Sequence, residues 1–282
     1  MKGLGYLNED FIFFHIKDRR NVEFEPHFHD FNKIVIFLSG KVTYLIEGRT
    51  YVLKPWDMLI IGSSEVHKPL IDPKEEYDRI VIWINTNYLK RKSSKEGELL
   101  TCFDMALKRK NNLFTLNPEA VQIKNVLLQL EAACKSKEFG SSIMKETIFL
   151  QFMVYINRFV IDEGSIEHSE EFSYDKRIEE ILKYINANIG EELTLDKLAS
   201  HFFMNKYYIM HKFKEETGYT IHNYIVQKRL INANVLIKEG KSVIEACIQS
   251  GFYDYSSFVR AFKKQFGLSP KKYYKQYYID RV

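Results

Sequence analysis

The sequence predicts an α+β protein of two domains: an N-terminal antiparallel β-sandwich or barrel with helices after it, then an all-α domain of two helix-turn-helix units joined by a long helix. Three observations predict it. Residues 11–84 are a succession of short β-rich runs separated by turn residues. From about residue 96 the periodicity becomes helical. The last third repeats one pattern at an offset of 49 residues.

The β-rich runs cover 11–16, 33–38, 42–46, 50–53, 58–62 and 79–84, and Ser39-Gly40, Glu47-Gly48, Lys54-Pro55 and Gly62-Ser63-Ser64 supply the turns. Helices are expected over 96–109, 118–134 and 142–160, with Pro118 at a helix start and Gly140 just before another. Residues 162–173 are short, polar and acidic, the composition of a linker. An amphipathic helix follows over 175–188, burying Ile178, Ile181, Leu182 and Ile185.

The repeat then begins. Adding 49 maps Phe203 to Phe252, Phe213 to Phe262, Lys214 to Lys263, Gly218 to Gly267 and Tyr224 to Tyr273. In each copy a short helix meets a turn, and Asn205 or Asp254 caps a second helix with inward residues four apart: Ile209 and Phe213, then Phe258 and Phe262. One helix over 220–239, stopped by Gly240, joins the copies. Tandem helix-turn-helix units are a DNA-reading arrangement.

Composition agrees. The chain has 282 residues, 45% hydrophobic and 28% charged, which excludes disordered and fibrous classes. Net charge is +4, but residues 174–282 hold 18 Lys+Arg against 12 Asp+Glu, while residues 1–173 hold 23 against 25. Positive charge therefore gathers where the repeat lies. Cys102, Cys134 and Cys247 are scattered and odd in number, pointing to a reducing compartment. No signal peptide or membrane span is evident, so the cytoplasm is the expected location.

The register of each recognition helix follows from its buried face. With Ile209 and Phe213 inward, Lys206, Tyr207, Met210 and His211 project outward, and the offset gives Tyr255, Ser256, Val259 and Arg260 in the second copy. Arg260 is the strongest candidate, because its fork fits guanine O6 and N7. Lys212, Lys214, Lys263, Lys264, Lys271 and Lys272 are candidate phosphate contacts.

Gly251 to Tyr274, reading GFYDYSSFVRAFKKQFGLSPKKYY, closely resembles the signature of the DNA-binding domain of AraC-family transcription regulators. FKEETGYTIHNYI from Phe213 to Ile225, followed by Arg229-Leu230 and Ala233, is similar to that family's first unit and linker helix. His211 stands where the family usually carries Arg, so the two copies are expected to read unequally. Pro26-His27-Phe28-His29-Asp30-Phe31, Leu53-Lys54-Pro55-Trp56-Asp57 and His67 look like a cupin barrel.

The resemblance implies a cupin-like effector barrel at 1–90, a helical dimerisation region at 91–161, a linker at 162–173 and a DNA-binding domain at 174–282. Within the last, the units fall at about 193–216 and 243–266, around the linker helix at 220–239. It also implies a small-molecule effector such as a sugar, homodimerisation, double-stranded promoter DNA and RNA polymerase as partners, activation as the expected sign, and no cofactor. His27, His29, Lys33, His67 and Trp83 are the candidate effector residues. Lys33 occupies the position where metal-holding cupins carry a carboxylate, and a cation opposes a metal ion there. Two other readings stay open: a metal-dependent cupin enzyme with a DNA-binding tail, and a regulator whose barrel binds no effector and only dimerises.

Overall fold

The computed structural model describes residues 7–19, 24–118, 120–163 and 176–278. Eight strands form two antiparallel sheets: β1 (Phe11–Asp18), β2 (Asn32–Ser39), β3 (Val42–Ile46), β4 (Arg49–Val52), β5 (Asp57–Ile61), β6 (His67–Ile71), β7 (Tyr77–Ile84) and β8 (Leu113–Thr115). The larger sheet runs β1-β7-β2-β5-β8 and the smaller β4-β3-β6.

The central strands of the larger sheet are continuous apolar runs because both of their faces are covered. Val35, Phe37, Leu59, Ile61 and Val81 face the smaller sheet, meeting Tyr44, Ile46 and Tyr51. Ile34, Ile36, Met58, Ile60, Ile80 and Ile82 face the other way, onto helices. Burying each such side chain stabilises by about 1.5–3 kcal/mol. The helices that cover them are α1 (Thr86–Lys92), α2 (Thr101–Arg109), α3 (Val121–Lys135) and α4 (Ser141–Glu163). Sheet and helices share one core, so a division at residue 90 falls inside a continuous hydrophobic cluster.

Local chemistry accounts for the differences from expectation. The helix expected from residue 96 starts at Thr101, because the Ser93 hydroxyl takes the Leu99 N–H at 2.9 Å and Gly97 bonds back to Ser94, holding a turn. Strand β6 has no continuous β-rich run because it contains Pro69, tolerated at the edge of the smaller sheet. The linker expected at 162–173 begins in the last turn of α4 and otherwise lies outside the described residues.

The C-terminal domain comprises α5 (Lys176–Ala187), α6 (Leu195–His201), α7 (Lys206–Thr217), α8 (Ile221–Lys238), α9 (Val243–Gln249), α10 (Tyr255–Phe266) and α11 (Pro270–Tyr278). The two helix-turn-helix units are α6–α7 and α9–α10, with α8 between them. Thr194 caps α6 through the Lys197 N–H as Ser242 caps α9 through the Glu245 N–H. That equivalence is 48 residues, not 49. The left-handed turn residues, Phe203 and Gly251, also differ by 48, and Met204 and Phe252 close the turns through matching bonds to Ala199 and Cys247. From the caps Asn205 and Asp254 onward the offset is 49. The extra residue is Tyr253, so the alignment of Phe203 with Phe252 is corrected: Phe203 corresponds to the turn glycine.

The two domains pack directly on one another. Phe28, Leu45 and Val66 of the barrel belong to the same hydrophobic cluster as the C-terminal helices. Tyr219 Oη lies 3.2 Å from both the Leu45 and Val66 carbonyl oxygens. Lys228 Nζ meets Glu47 at 2.6 Å, and Tyr224 donates to the same carboxylate at 3.1 Å. Asp30 accepts from Tyr273 Oη at 3.1 Å and pairs with Lys238 at 3.3 Å.

Candidate DNA-reading surface and effector site

Each recognition helix is set by its cap, its buried stripe and its end. Asn205 accepts the Tyr207 N–H at 2.8 Å, Ile209 and Phe213 are buried, and Gly218 ends α7 at φ 72°. Asp254 accepts the N–H groups of Ser256 and Ser257, Phe258, Phe262 and Phe266 are buried, and Gly267 ends α10 at φ 73°. Glycine takes these left-handed stops without the strain a Cβ would bring.

The opposite face of α7 presents Lys206, Tyr207, Met210 and His211 to solvent; Tyr207 is 75% exposed and Met210 49%. On α10 the corresponding face presents Tyr255, Ser256 and Arg260, while Val259 packs partly against the core. Arg260 donates to the Ser257 hydroxyl at 3.1 Å, an exposed contact that leaves most of its five donors for bases. Lys206 is ion-paired with Asp196. Tyr208, 44% exposed beside Tyr207, was not selected by the inward-residue pattern.

The phosphate candidates divide. Lys214, Lys263, Lys271 and Lys272 are exposed. Lys212 instead bridges Glu216 at 2.6 Å and Glu215 at 3.3 Å on its own helix, so its charge is already matched. Lys264 points toward the barrel, 3.4 Å from Glu25. Arg229, part of the sequence pattern on the linker helix, has a structural role: it donates to the carbonyls of Ile189 and Glu191 at 3.1 and 2.7 Å.

In the barrel, His27, His29 and His67 do converge, with one ring nitrogen from each within 4.8 Å of the others. His67 Nδ1 donates to the Glu65 carbonyl at 2.9 Å, leaving Nε2 to accept from Lys33 Nζ at 3.2 Å. His27 Nδ1 likewise donates to the Glu25 carbonyl at 2.8 Å. Burial and the Lys33 charge push His27 down to about 4 and hold His29 and His67 well below the usual imidazole range, so all three are neutral near pH 7. Burial and the Arg79 charge bring Lys33 down to about 8. The cluster does not suit a divalent cation, because its fourth group is an ammonium that already occupies the lone pair of His67.

Trp83 stands opposite Lys33 on the neighbouring strand. Its ring is partly buried, meeting Phe14 edge-on at 4.9 Å and Phe31 at 5.0 Å between centroids. A separate cleft of about 480 Å³ opens between the domains, lined by Glu47, Arg49, Lys183, Tyr224 and Lys228 among others.

Comparison with known proteins bears on both surfaces. Residues 12–153 match the model of the AraC-like ligand binding domain, and residues 198–276 match a helix-turn-helix domain. The chain is 24% identical over 255 residues to the HTH-type transcriptional activator RhaS of Citrobacter koseri, covering 88% of this chain and 86% of that protein. It is 26% identical over 259 residues to the HTH-type transcriptional activator RhaR of Mannheimia succiniciproducens, covering 91% and 90%. Among solved structures, ToxT from Vibrio cholerae O395 aligns with TM-score 0.40 and 16% identity over 95% of this chain and 98% of that one. Among the described residues no helix is long and apolar enough to cross a membrane.

Proposed function

This chain belongs to the AraC family of transcription regulators, and from that premise we propose that it is an effector-responsive activator whose second helix-turn-helix unit supplies the firmer base reading. The ligand-binding and helix-turn-helix domains make it a DNA-binding regulator with a small-molecule site. The observation that carries the finer reading is the contrast between the exposed Arg260 and its counterpart His211. Arg offers a fixed bidentate fork to guanine; a neutral imidazole offers one donor. His27, His29, Lys33, His67 and Trp83 are the proposed effector residues. The exposed Lys214, Lys263 and Lys271 hold phosphates, and Lys264 joins them when it leaves Glu25.

Relatives named as transcriptional activators support activation; contact with RNA polymerase and a place in the cytoplasm are part of the same proposal. The exposed Leu128 of α3 and Ile143 and Met144 of α4 support a homodimer through these helices, since solvent-facing apolar side chains on adjacent helices suit a partner. The protein is a regulator and not an enzyme in this reading: Lys33 replaces the carboxylate a metal-dependent cupin enzyme would use. An effector-independent regulator would show a DNA footprint indifferent to every small molecule tried.

The test is a titration of Arg260→Ala and His211→Ala against DNA selected from random sequence. Arg260→Ala is expected to lose about 1–3 kcal/mol of discrimination and leave thermal stability nearly unchanged; His211→Ala is expected to lose less. Equal loss on specific and random DNA would remove base reading from Arg260.

A further inference from the structure

The segments that carry the barrel histidines are antiparallel and joined at His27 and His67, whose backbones exchange hydrogen bonds at 3.1 and 2.9 Å. In extended backbone, neighbouring residues face opposite ways. His27, His29 and His67 turn to the inside of the barrel. Phe28 and Val66, between and beside them, turn outward and are 0% exposed within the core of the DNA-binding domain. Phe28 meets Phe266 at 5.6 Å between centroids, and its carbonyl accepts from Gln265 at 2.5 Å. The Val66 carbonyl faces Tyr219 Oη, and Asp30 faces Tyr273 and Lys238. One pair of short segments thus lines the barrel cluster on one side and holds the C-terminal domain on the other.

The inward side is rich in donors and poor in acceptors. Lys33 Nζ bonds His67 Nε2 and has no carboxylate partner among the described residues. His29 Nδ1 and Trp83 Nε1 are buried with no hydrogen-bond partner. Lys33 and Trp83 are direct cross-strand neighbours, and the His29 and Trp83 rings lie 6.0 Å apart, so the three groups share one corner. Trp83 Nε1–H is a buried donor without an acceptor, His29 Nδ1 is another in its Nδ1–H tautomer, and Lys33 is an ammonium without a counter-ion, a set that is unfavourable until something supplies acceptors and negative charge. A carboxylate does so: one negative charge and two acceptor oxygens. His27 Nε2 remains an acceptor, which suits a hydroxyl beside that carboxylate.

We propose that this corner binds a small organic acid, its carboxylate held by Lys33, His29 and Trp83, and that occupancy reaches the DNA-binding domain through Phe28, Asp30 and Val66. The proposal rests on the barrel being the effector domain. Its logic is a population shift: a ligand that moves the histidine segments changes the outward residues that dock the second domain.

The experiment uses the full chain with Trp56→Phe, leaving Trp83 as the sole tryptophan, titrated with lactate, propionate, glucose and zinc chloride. Both acids should change the Trp83 emission saturably, lactate binding more tightly; glucose and zinc should not. Lys33→Met should weaken acid binding about tenfold or more, and Lys33→Arg should restore most of it. Trp83→Phe, read by calorimetry, keeps the ring and loses the N–H, and should weaken binding by a smaller factor. Hydrogen exchange at residues 262–268 should change on adding lactate in the parent and not in Phe28→Ala, which still binds the acid. Acid binding unchanged in Lys33→Met and Trp83→Phe, or tight zinc binding by the histidines, overturns the acid site. Binding without any change in exchange overturns the transmission. Glucose binding in place of acid binding would overturn the acid and leave the barrel as effector domain; if no small molecule is bound at all, the underlying reading falls as well.

Discussion

The two helix-turn-helix units use the same parts and differ where strain and docking are concerned. Both cap the second helix with a short polar side chain, bury an aromatic about two turns later, and stop on a left-handed glycine. At the turn they part. The second unit has Gly251 at φ 85°, pressed against the chain that leaves α5, whereas the first has Phe203 at φ 52° with its side chain 97% exposed. The second unit docks on the barrel through Gln265 and Phe266 against Phe28; the first docks through Gly218 and Tyr219 against Leu45 and Val66. In both, contacts with the barrel involve the C-terminal end of the recognition helix, and the reading residues nearer its start stay open. The lesson is that duplication preserved the recognition helices and left the turns free to diverge.

The comparison can be broken at several points. The largest effect is expected from Gly251→Ala. A Cβ there would lie 2.5 Å from the Ile189 carbonyl oxygen and 2.9 Å from Arg229 Nε, on top of the left-handed penalty. Together these should cost about 3 kcal/mol, read by urea denaturation; a loss under about 1 kcal/mol would show that the turn relaxes easily.

Tyr219→Phe removes the hydroxyl shared by two barrel carbonyls and should cost about 1–2 kcal/mol. Hydrogen exchange should rise around Gly218 to Ile225 and much less in α10; an equal rise in both units would mean that they dock as one block.

Next come the caps. Asn205→Ala should cost about 1 kcal/mol. Asp254 behaves differently because it titrates: hydrogen bonds from Ser257, and then its backbone partners and Arg260, hold its carboxyl below the usual aspartate range. A group depressed in the folded state contributes above its unfolded pKa and loses that contribution as pH falls through its folded value. The stability gap between wild type and Asp254→Asn should therefore be present near neutrality and close in acid, below about pH 4. Asn205 should show no such closure.

The smallest effect, of opposite sign, belongs to Phe203→Gly. It relieves a left-handed non-glycine residue whose side chain buries nothing, and should gain up to about 1 kcal/mol in thermal unfolding. A loss would show that the exposed ring restrains the turn.

Much of this was legible in the sequence. The six β-rich runs each fall on a strand, because alternation and turn residues are local signals. Helices α3, α4 and α5 and both recognition helices were readable from apolar spacing, and Asn205 and Asp254 do cap as their residue types suggest. What escaped was non-local. Strand β8 has three residues and exists because Leu113 and its neighbours pair with β5. The switch from an offset of 48 to one of 49 was hidden because Phe203 and Phe252 coincide in identity while differing in role. At the sites, His27 and His29 stand two residues apart, the spacing that puts side chains on one side of extended backbone, while their meeting with His67 is tertiary. The packing of Trp83 against Phe31 and the turn of Lys264 toward Glu25 depend on tertiary structure that no single segment encodes, whereas the Lys212–Glu216 pair is an i,i+4 contact within one helix.

The alternation of residues 27 to 30 also sets what lengths of chain the protein can tolerate. Because side chains of extended backbone alternate, a one-residue shift of this segment against His67 would exchange its two sides. Imidazoles would be driven into the apolar contact with Phe266, and a phenyl ring would enter the polar corner beside Lys33. Loops elsewhere on the barrel can drift in length by any step. Here only even steps preserve the pattern, so in a library of length variants, or across descendants of this gene, the spacing of this stretch should stay fixed even where its residues change.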